Sequence, residues 1–184
     1  FLNCKKLTNI TLPSRLAGFD KAWFSGCTAL ETITIPEGGT YYSKGGAICT
    51  GTTLVYVPVN FNKATAAQVY VIPSGITAIA DKAFEDARYV RHVNIPYTVN
   101  SIGASAFEEA TSLHTLESIT FADRTDVAPL NIGERAFYDC VNLTEVVLPD
   151  SLTAKIADKS EGANGTVFTL NIADTTPSLE LSNY

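Results

Sequence analysis

The segment Ile102-Gly-Ala-Ser-Ala-Phe107-Glu-Glu-Ala110-Thr-Ser-Leu113 recurs along the chain, and that recurrence limits the fold more than any other feature. Close copies are Ile79-Ala-Asp-Lys-Ala-Phe84-Glu-Asp-Ala87-Arg-Tyr-Val90 and Ile132-Gly-Glu-Arg-Ala-Phe137-Tyr-Asp-Cys140-Val-Asn-Leu143. Two more stand upstream as Ala22-Trp-Phe24-Ser-Gly-Cys27-Thr-Ala-Leu30 and the clipped Phe1-Leu-Asn-Cys4-Lys-Lys-Leu7. Phe1 to Phe24 and Phe84 to Phe107 are each 23 residues. Each Phe is followed at fixed spacing by Cys or Ala and then Leu or Val, and in every copy but that of Phe107 an alternating apolar pair that ends in proline comes next. The pairs are Ile10 and Leu12, Ile33 and Ile35, Tyr70 and Ile72, Val93 and Ile95, and Val146 and Leu148.

Alternation of this kind predicts a short strand with one face buried, and the proline ends it because it cannot donate to a ladder. The Gly-x-x-Ala-Phe segment predicts a compact or single helical turn that drops Phe into the core, with Gly103 serving the turn. One such unit cannot cover its own apolar side, so the units must stack. Stacking aligns the strands in a parallel sheet and the Phe rings in a column, with Phe107 and Ala110 facing inward. The expected fold is therefore an α/β solenoid of short parallel strands and short helical or irregular turns, rich in β.

Two turns depart from the register. Pro36 to Pro73 is 37 residues long, and the excess holds two β-prone runs around Thr50-Gly51-Thr52. This reads as a β-hairpin at about residues 37–62, protruding from the stack. Phe107 to Phe137 is 30 residues, which makes Asp123 to Pro129 a longer surface loop. The pattern stops after Leu152. Residues 153–165 read as a polar loop and Val167 to Ile172 as a strand, so 153–184 is a C-terminal cap or the start of a following domain.

Cys4, Cys27 and Cys140 occupy the position that holds Ala87 and Ala110 in other copies. Exchange with alanine calls for a small buried apolar residue, which a free cysteine supplies. The alternative is a Cys4–Cys27 bridge, because equivalent positions in neighbouring turns lie about 4.8 Å apart.

Few functional classes survive this reading. A formal net charge of -6 argues against a nucleic-acid partner, which would ask for a basic stripe. No run approaches the length of a membrane span. The chain starts without Met inside a repeat, so it reads as a piece whose targeting segment is missing. His92 and His114 are the only histidines, no nucleophile elbow accompanies them, and His92 falls on a solvated position beside the strand. No metal or phosphate motif occurs, so neither an enzyme nor a cofactor is expected. Asp86, Glu109 and Asp139 would line one corner of the stack and could hold calcium. Neighbouring Lys82, Arg88 and Arg135 favour a plain solvated corner. The triplets at Asn9, Asn142 and Asn164 match a glycosylation sequon by chance, the first two falling in the packed register.

The outward strand positions remain: Asn9, Thr11, Thr32, Thr34, Val69, Val71, His92, Asn94, Ser118, Thr120, Glu145 and Val147. They are expected to form one continuous, mostly polar face, although Thr also simply suits a strand. Tyr41, Tyr42, Tyr56 and Phe61, in and around the hairpin, are the aromatic contact candidates.

The motif Ile-Gly-x-x-Ala-Phe-x-x-Cys-x-x-Leu-x-x-Val-x-Leu-Pro, read from Ile132 to Pro149, resembles the BspA-type leucine-rich repeat family. So do Ile72-Pro-Ser-Gly-Ile76-Thr-Ala-Ile79 and the insertion Gly51-Thr-Thr-Leu-Val-Tyr-Val-Pro58. The resemblance spans residues 1–152; Ala80, where Gly is usual, and the unmatched tail depart from it. It implies a right-handed, curved solenoid on a bacterial or protist cell surface or secreted from the cell. It also implies adhesion to a host or surface protein or glycan, and no catalytic residues. A structural spacer that holds another domain away from the cell is the alternative.

Overall fold

The computed structural model describes residues 1–108, 115–122 and 130–147, together with the backbone of three later strands, 154–156, 167–171 and 178–182. Its strands are β1 (Asn9–Thr11), β2 (Thr32–Thr34), β3 (Tyr41–Lys44), β4 (Ala47–Thr50) and β5 (Thr53–Tyr56). Next come β6 (Val69–Val71), β7 (Ala78–Ile79), β8 (His92–Ile95), β9 (Ser101–Ile102) and β10 (Ser118–Phe121). The last are β11 (Leu130–Ile132), β12 (Glu145–Val147), β13 (Ala154–Ile156), β14 (Val167–Asn171) and β15 (Ser178–Ser182). The one helical element among the described residues is a 3-10 turn at Lys21–Phe24, capped by Asp20, whose carboxylate accepts from the Ala22 amide. The fold is thus a β-solenoid, and the expected α component reduces to that turn.

Each strand predicted from the proline-terminated pairs forms, in the expected register. Ile10 pairs with Ile33, Tyr70 with Val93, Val93 with Ile119 and Ile119 with Val146, all in parallel. A second parallel sheet was not foreseen. It runs through Leu54, Ile79, Ile102 and Ile132 on β5, β7, β9 and β11, and β13 carries it to Ile156, past the end of the repeat pattern. β14 and β15 pair antiparallel with one another.

Between the sheets the Phe rings stack. Phe84 lies 4.5 Å from Phe107, Phe107 lies 5.2 Å from Phe137, and Phe1 lies 5.5 Å from Phe24. Burying one such ring stabilises the fold by about 1.5–3 kcal/mol, and stacking adds to that. Cysteine lines the same axis. Cys27 donates to the Phe1 carbonyl and Cys140 to the Phe107 carbonyl, in each case one turn back. All four cysteines are free; Cys4 is exposed and the others are buried.

Gly103 does not serve the turn by adopting unusual dihedrals. The left-handed residue of each corner is instead Lys82, Ser105 or Arg135, with φ of 57°, 54° and 57°. Gly103 is required because the turns approach too closely for a side chain: a Cβ there would sit 2.5 Å from the Asp81 amide nitrogen. Gly133 meets Ala104 in the same way. Ala80 is tolerated where Gly is usual because the chain below it continues as strand β5 past Leu54 to Tyr56, whereas the chain below Gly103 turns into a corner after Ile79.

The hairpin does not protrude. β3 and β4 pair antiparallel, β4 and β5 likewise, and β5 joins β7 in parallel, so the insertion forms one edge of the second sheet. Ala47, Ile48, Cys49 and Leu54 are fully buried. Ser43 fastens the insertion to β2 through bonds with the main chain of Ile33 and Ile35. The chain beyond it behaves as a turn of the stack in disguise. Val57 donates to the Ala83 carbonyl as Phe84 does to Ala106, and Asn60 then falls in the Cys/Ala position. Val57 brings no ring to the column. Tyr70 supplies one from the strand position, edge-on to both Phe61 and Phe84 at 5.4 Å.

Candidate functional site

The outward strand residues split into two groups. β1 and β2 form one sheet, while β6, β8, β10 and β12 form another, with no pairing between β2 and β6. The expected continuous face is therefore interrupted. The cause is the disguised turn: Asn60 satisfies the Leu30 carbonyl with its amide and the Thr28 carbonyl with its side chain, where a regular turn would continue the ladder.

On the first sheet Asn9, Thr11, Thr32 and Thr34 are exposed, while Ile33 between the last two is buried. On the second, Val69, Val71, Asn94, Glu145 and Val147 are exposed, and Ser118 and Thr120 are half-buried. Val71 is 61% exposed and Val147 42%. His92 is half-buried, its Nδ1 is 2.9 Å from the Ser118 hydroxyl, and its Nε2 is 3.9 Å from Glu117, which also pairs with Arg91. His92 is thus tied into the face. His114 and the Asp123–Pro129 loop lie outside the described residues.

The hairpin aromatics belong mainly to the core. Tyr56 is 3% exposed, and burial drives its phenol far above the ordinary value, so it is not a contact residue. Tyr41 packs on Phe19 at 6.0 Å, the Tyr42 hydroxyl donates to the Gly51 carbonyl, and Phe61 packs on Tyr70. All three are half-buried. Folding the insertion into the sheet took these rings inward.

The acidic corner is not a regular row. Asp139 is exposed with a left-handed φ of 61°, whereas Asp86 is half-buried and does not share that conformation. Glu109 lies outside the described residues, among which no group of three or more His, Cys, Asp or Glu could hold a metal.

A cleft that no local motif announced opens beside the disguised turn. It measures about 470 Å³ and is lined by Asp20, Lys21, Phe24, Ser25, Thr28, Tyr56, Val59, Glu85, Asp86 and Arg88, among others. It lies between the Asp20–Thr28 corner and the Glu85–Arg88 corner, with Tyr56 and Val59 of the disguised turn between them. Lys21 closes one end by ion-pairing with Glu85 across the break, and Lys82 pairs with Glu85 at 3.2 Å. Burial raises the Glu85 carboxyl, but the hydrogen bonds from Lys21 and Lys82 outweigh it and leave the group below the ordinary value. Burial raises Asp86, and attraction to Lys21 and Arg88 does not offset it.

Two sheets of short parallel strands around a Phe column, with turns of about 23 residues, define a leucine-rich-repeat solenoid. The chain belongs to the BspA-type leucine-rich repeat family, whose profile matches six copies over residues 1–68 and 57–160. The two matched segments overlap at the disguised turn. The fold is similar to that of a leucine-rich cell surface protein from Faecalibacterium prausnitzii, with TM-score 0.54 and 22% identity over 83% of this chain and 48% of that one. A leucine-rich repeat protein from Bacteroides capillosus is 23% identical over 63% of this chain and 88% of its own, with TM-score 0.49. The T. pallidum leucine-rich repeat protein is 26% identical over 84% of this chain and 63% of its own, also with TM-score 0.49. The chain spans about half the length of the first of these. No curated protein matches it. Among the described residues no helix is long and apolar enough to cross a membrane.

Proposed function

We propose that this domain is a non-catalytic binding module of a secreted or surface-anchored bacterial protein, adhering to a host or surface protein or glycan. The contact surface is the outward side of β6, β8, β10 and β12, with Val69, Val71, His92, Asn94, Ser118, Thr120, Glu145 and Val147 on it. Asn9, Thr11, Thr32 and Thr34 form a separate, wholly polar patch on the other sheet. The observation that carries this reading is Val71, 61% exposed beside exposed Val69. Their register equivalents are Asn9 and Thr11, Thr32 and Thr34, and His92 and Asn94. Solvated strand positions favour polar residues, and apolar ones rimmed by polar neighbours mark a contact surface.

The test is a binding screen of immobilised extracellular-matrix proteins and a glycan panel. A triple variant, Val71→Ser with His92→Ala and Asn94→Ala, should weaken any matrix-protein hit by about tenfold or more. Binding that survives these changes places the contact elsewhere. A screen without hits favours a spacer that holds another domain away from the cell.

A further inference from the structure

The cleft beside the disguised turn carries a carboxylate without a protein partner and a guanidinium with one unpartnered nitrogen. Asp86 is half-buried, and no hydrogen bond or ion pair within 4 Å engages its carboxylate among the described residues. Arg88 is half-buried two residues on, and its Nε has no hydrogen-bond partner. Leaving the Arg88 Nε unsatisfied costs free energy, and the Asp86 carboxylate is left to solvent, so a ligand entering the cleft can replace water there. Glu85, by contrast, is saturated by Lys21 and Lys82, and Asp20 caps the 3-10 turn.

The ligand chemistry follows from what is left. A carboxylate without a protein partner and a guanidinium whose Nε is unpartnered line the same cleft, so a cation meets Arg88 and an anion meets Asp86. A neutral hydroxyl group can donate to one and accept from the other, and adjacent hydroxyls on one ring can serve both together. Ser25 and Thr28 add hydroxyls to the wall, and Phe24 and Val59 supply an apolar side for ring C–H groups. The volume of about 470 Å³ lies inside the ~300–1,000 Å³ range of small-molecule sites. We infer that the cleft between the Asp20–Thr28 corner and the Glu85–Arg88 corner is a binding site for a neutral sugar residue, held by Asp86 and Arg88. The site shares no residue with the Val71 face and goes beyond the adhesion reading.

The test is amide chemical-shift mapping of the intact 184-residue chain with glucose, galactose, mannose and N-acetylglucosamine, alongside a neutral Gly-Asn-Gly peptide. At least one sugar should give saturable shifts at Ser25–Thr28 and Glu85–Arg88. Asp86→Asn, which keeps shape, and Arg88→Gln, which removes the guanidinium, should each weaken it by about tenfold. The Val71 triple variant should leave it unchanged. The proposal is overturned if no sugar saturates these amides, if only the peptide does, or if the two cleft variants bind as the unaltered chain does. A glycan hit in the first screen is assigned by variant, since the Val71 triple variant weakens binding at the sheet face and Asp86→Asn weakens binding in the cleft, so the two readings fail separately.

Discussion

Cys140 donates its thiol proton to the main-chain carbonyl of Phe107, 3.1 Å away and one turn back in the stack. Cys27 does the same to Phe1 at 2.9 Å. The position tolerates alanine elsewhere in the chain, so it is small by necessity and sulfur-bearing by advantage. Cys140→Ala should cost about 1 kcal/mol in urea denaturation, the scale of one modest hydrogen bond. Cys140→Leu should cost about 1–3 kcal/mol, because a well-packed column has no room for the added methylenes. Equal costs for the two would mean that the site is not close-packed.

Tyr70 fills the gap that Val57 leaves among the rings, yet its hydroxyl is buried without a partner. Tyr70→Phe keeps the ring and removes the orphaned oxygen, and should stabilise the chain by about 1 kcal/mol or more. Tyr70→Val, which copies its register partner Val93, should cost about 3 kcal/mol through the cavity between Phe61 and Phe84. Urea midpoints at constant slope distinguish the two.

Gly103 and Gly18 offer a matched pair. A Cβ on Gly103 meets the Asp81 and Ala80 backbone at 2.5 and 2.6 Å, while one on Gly18 meets nothing within 4 Å. Gly103→Ala should therefore destabilise by about 1–3 kcal/mol. Gly18→Ala should stay within about 0.5 kcal/mol. Thermal melts of the two variants read the difference directly.

Glu85 and Asp86 are neighbours with opposite pH signatures. Glu85 lies below its ordinary value in the fold, so its contribution is present at neutral pH and is lost as pH falls through the folded value. Asp86 is raised by burial, so the folded chain binds its proton more tightly and gains stability as pH falls through that value. Glu85→Gln should lower Tm at neutral pH, with the deficit shrinking on acidification. Asp86→Asn should raise Tm at neutral pH, with the gain fading towards about pH 4 and below. Curves that stay parallel to that of the unaltered chain would contradict both assignments.

How far the sequence revealed this structure depends on how its information is spread. Inward strand residues such as Ile33, Tyr70 and Val93 were legible because alternation and a closing proline are local signals. The second sheet was not, since Ala78–Ile79 and Ser101–Ile102 are too short to show any period. The disguised turn stayed hidden because Val57 and Asn60 replace the Phe and Cys that mark the others. That one substitution of markers explains two further misses. The outward face was expected to be continuous because the turn that interrupts it was read as a protruding hairpin. The cleft draws on residues 20–28, 56–59 and 85–88, which only stacking brings together.

The central structural claim is that the insertion is a turn of the stack that joins the Phe24 and Phe84 cores and holds the cleft between them. Asn60 is its most direct probe, since its side chain bonds the Thr28 carbonyl at 2.8 Å and its amide bonds Leu30. Amide hydrogen exchange of Asn60→Ala against the unaltered chain measures the coupling. Protection of Cys27, Leu30 and Leu12 should fall by about tenfold or more, while Gly103 and Phe107 keep theirs. Unchanged protection at Cys27 and Leu30 would show that the insertion is a passive loop and would contradict the account.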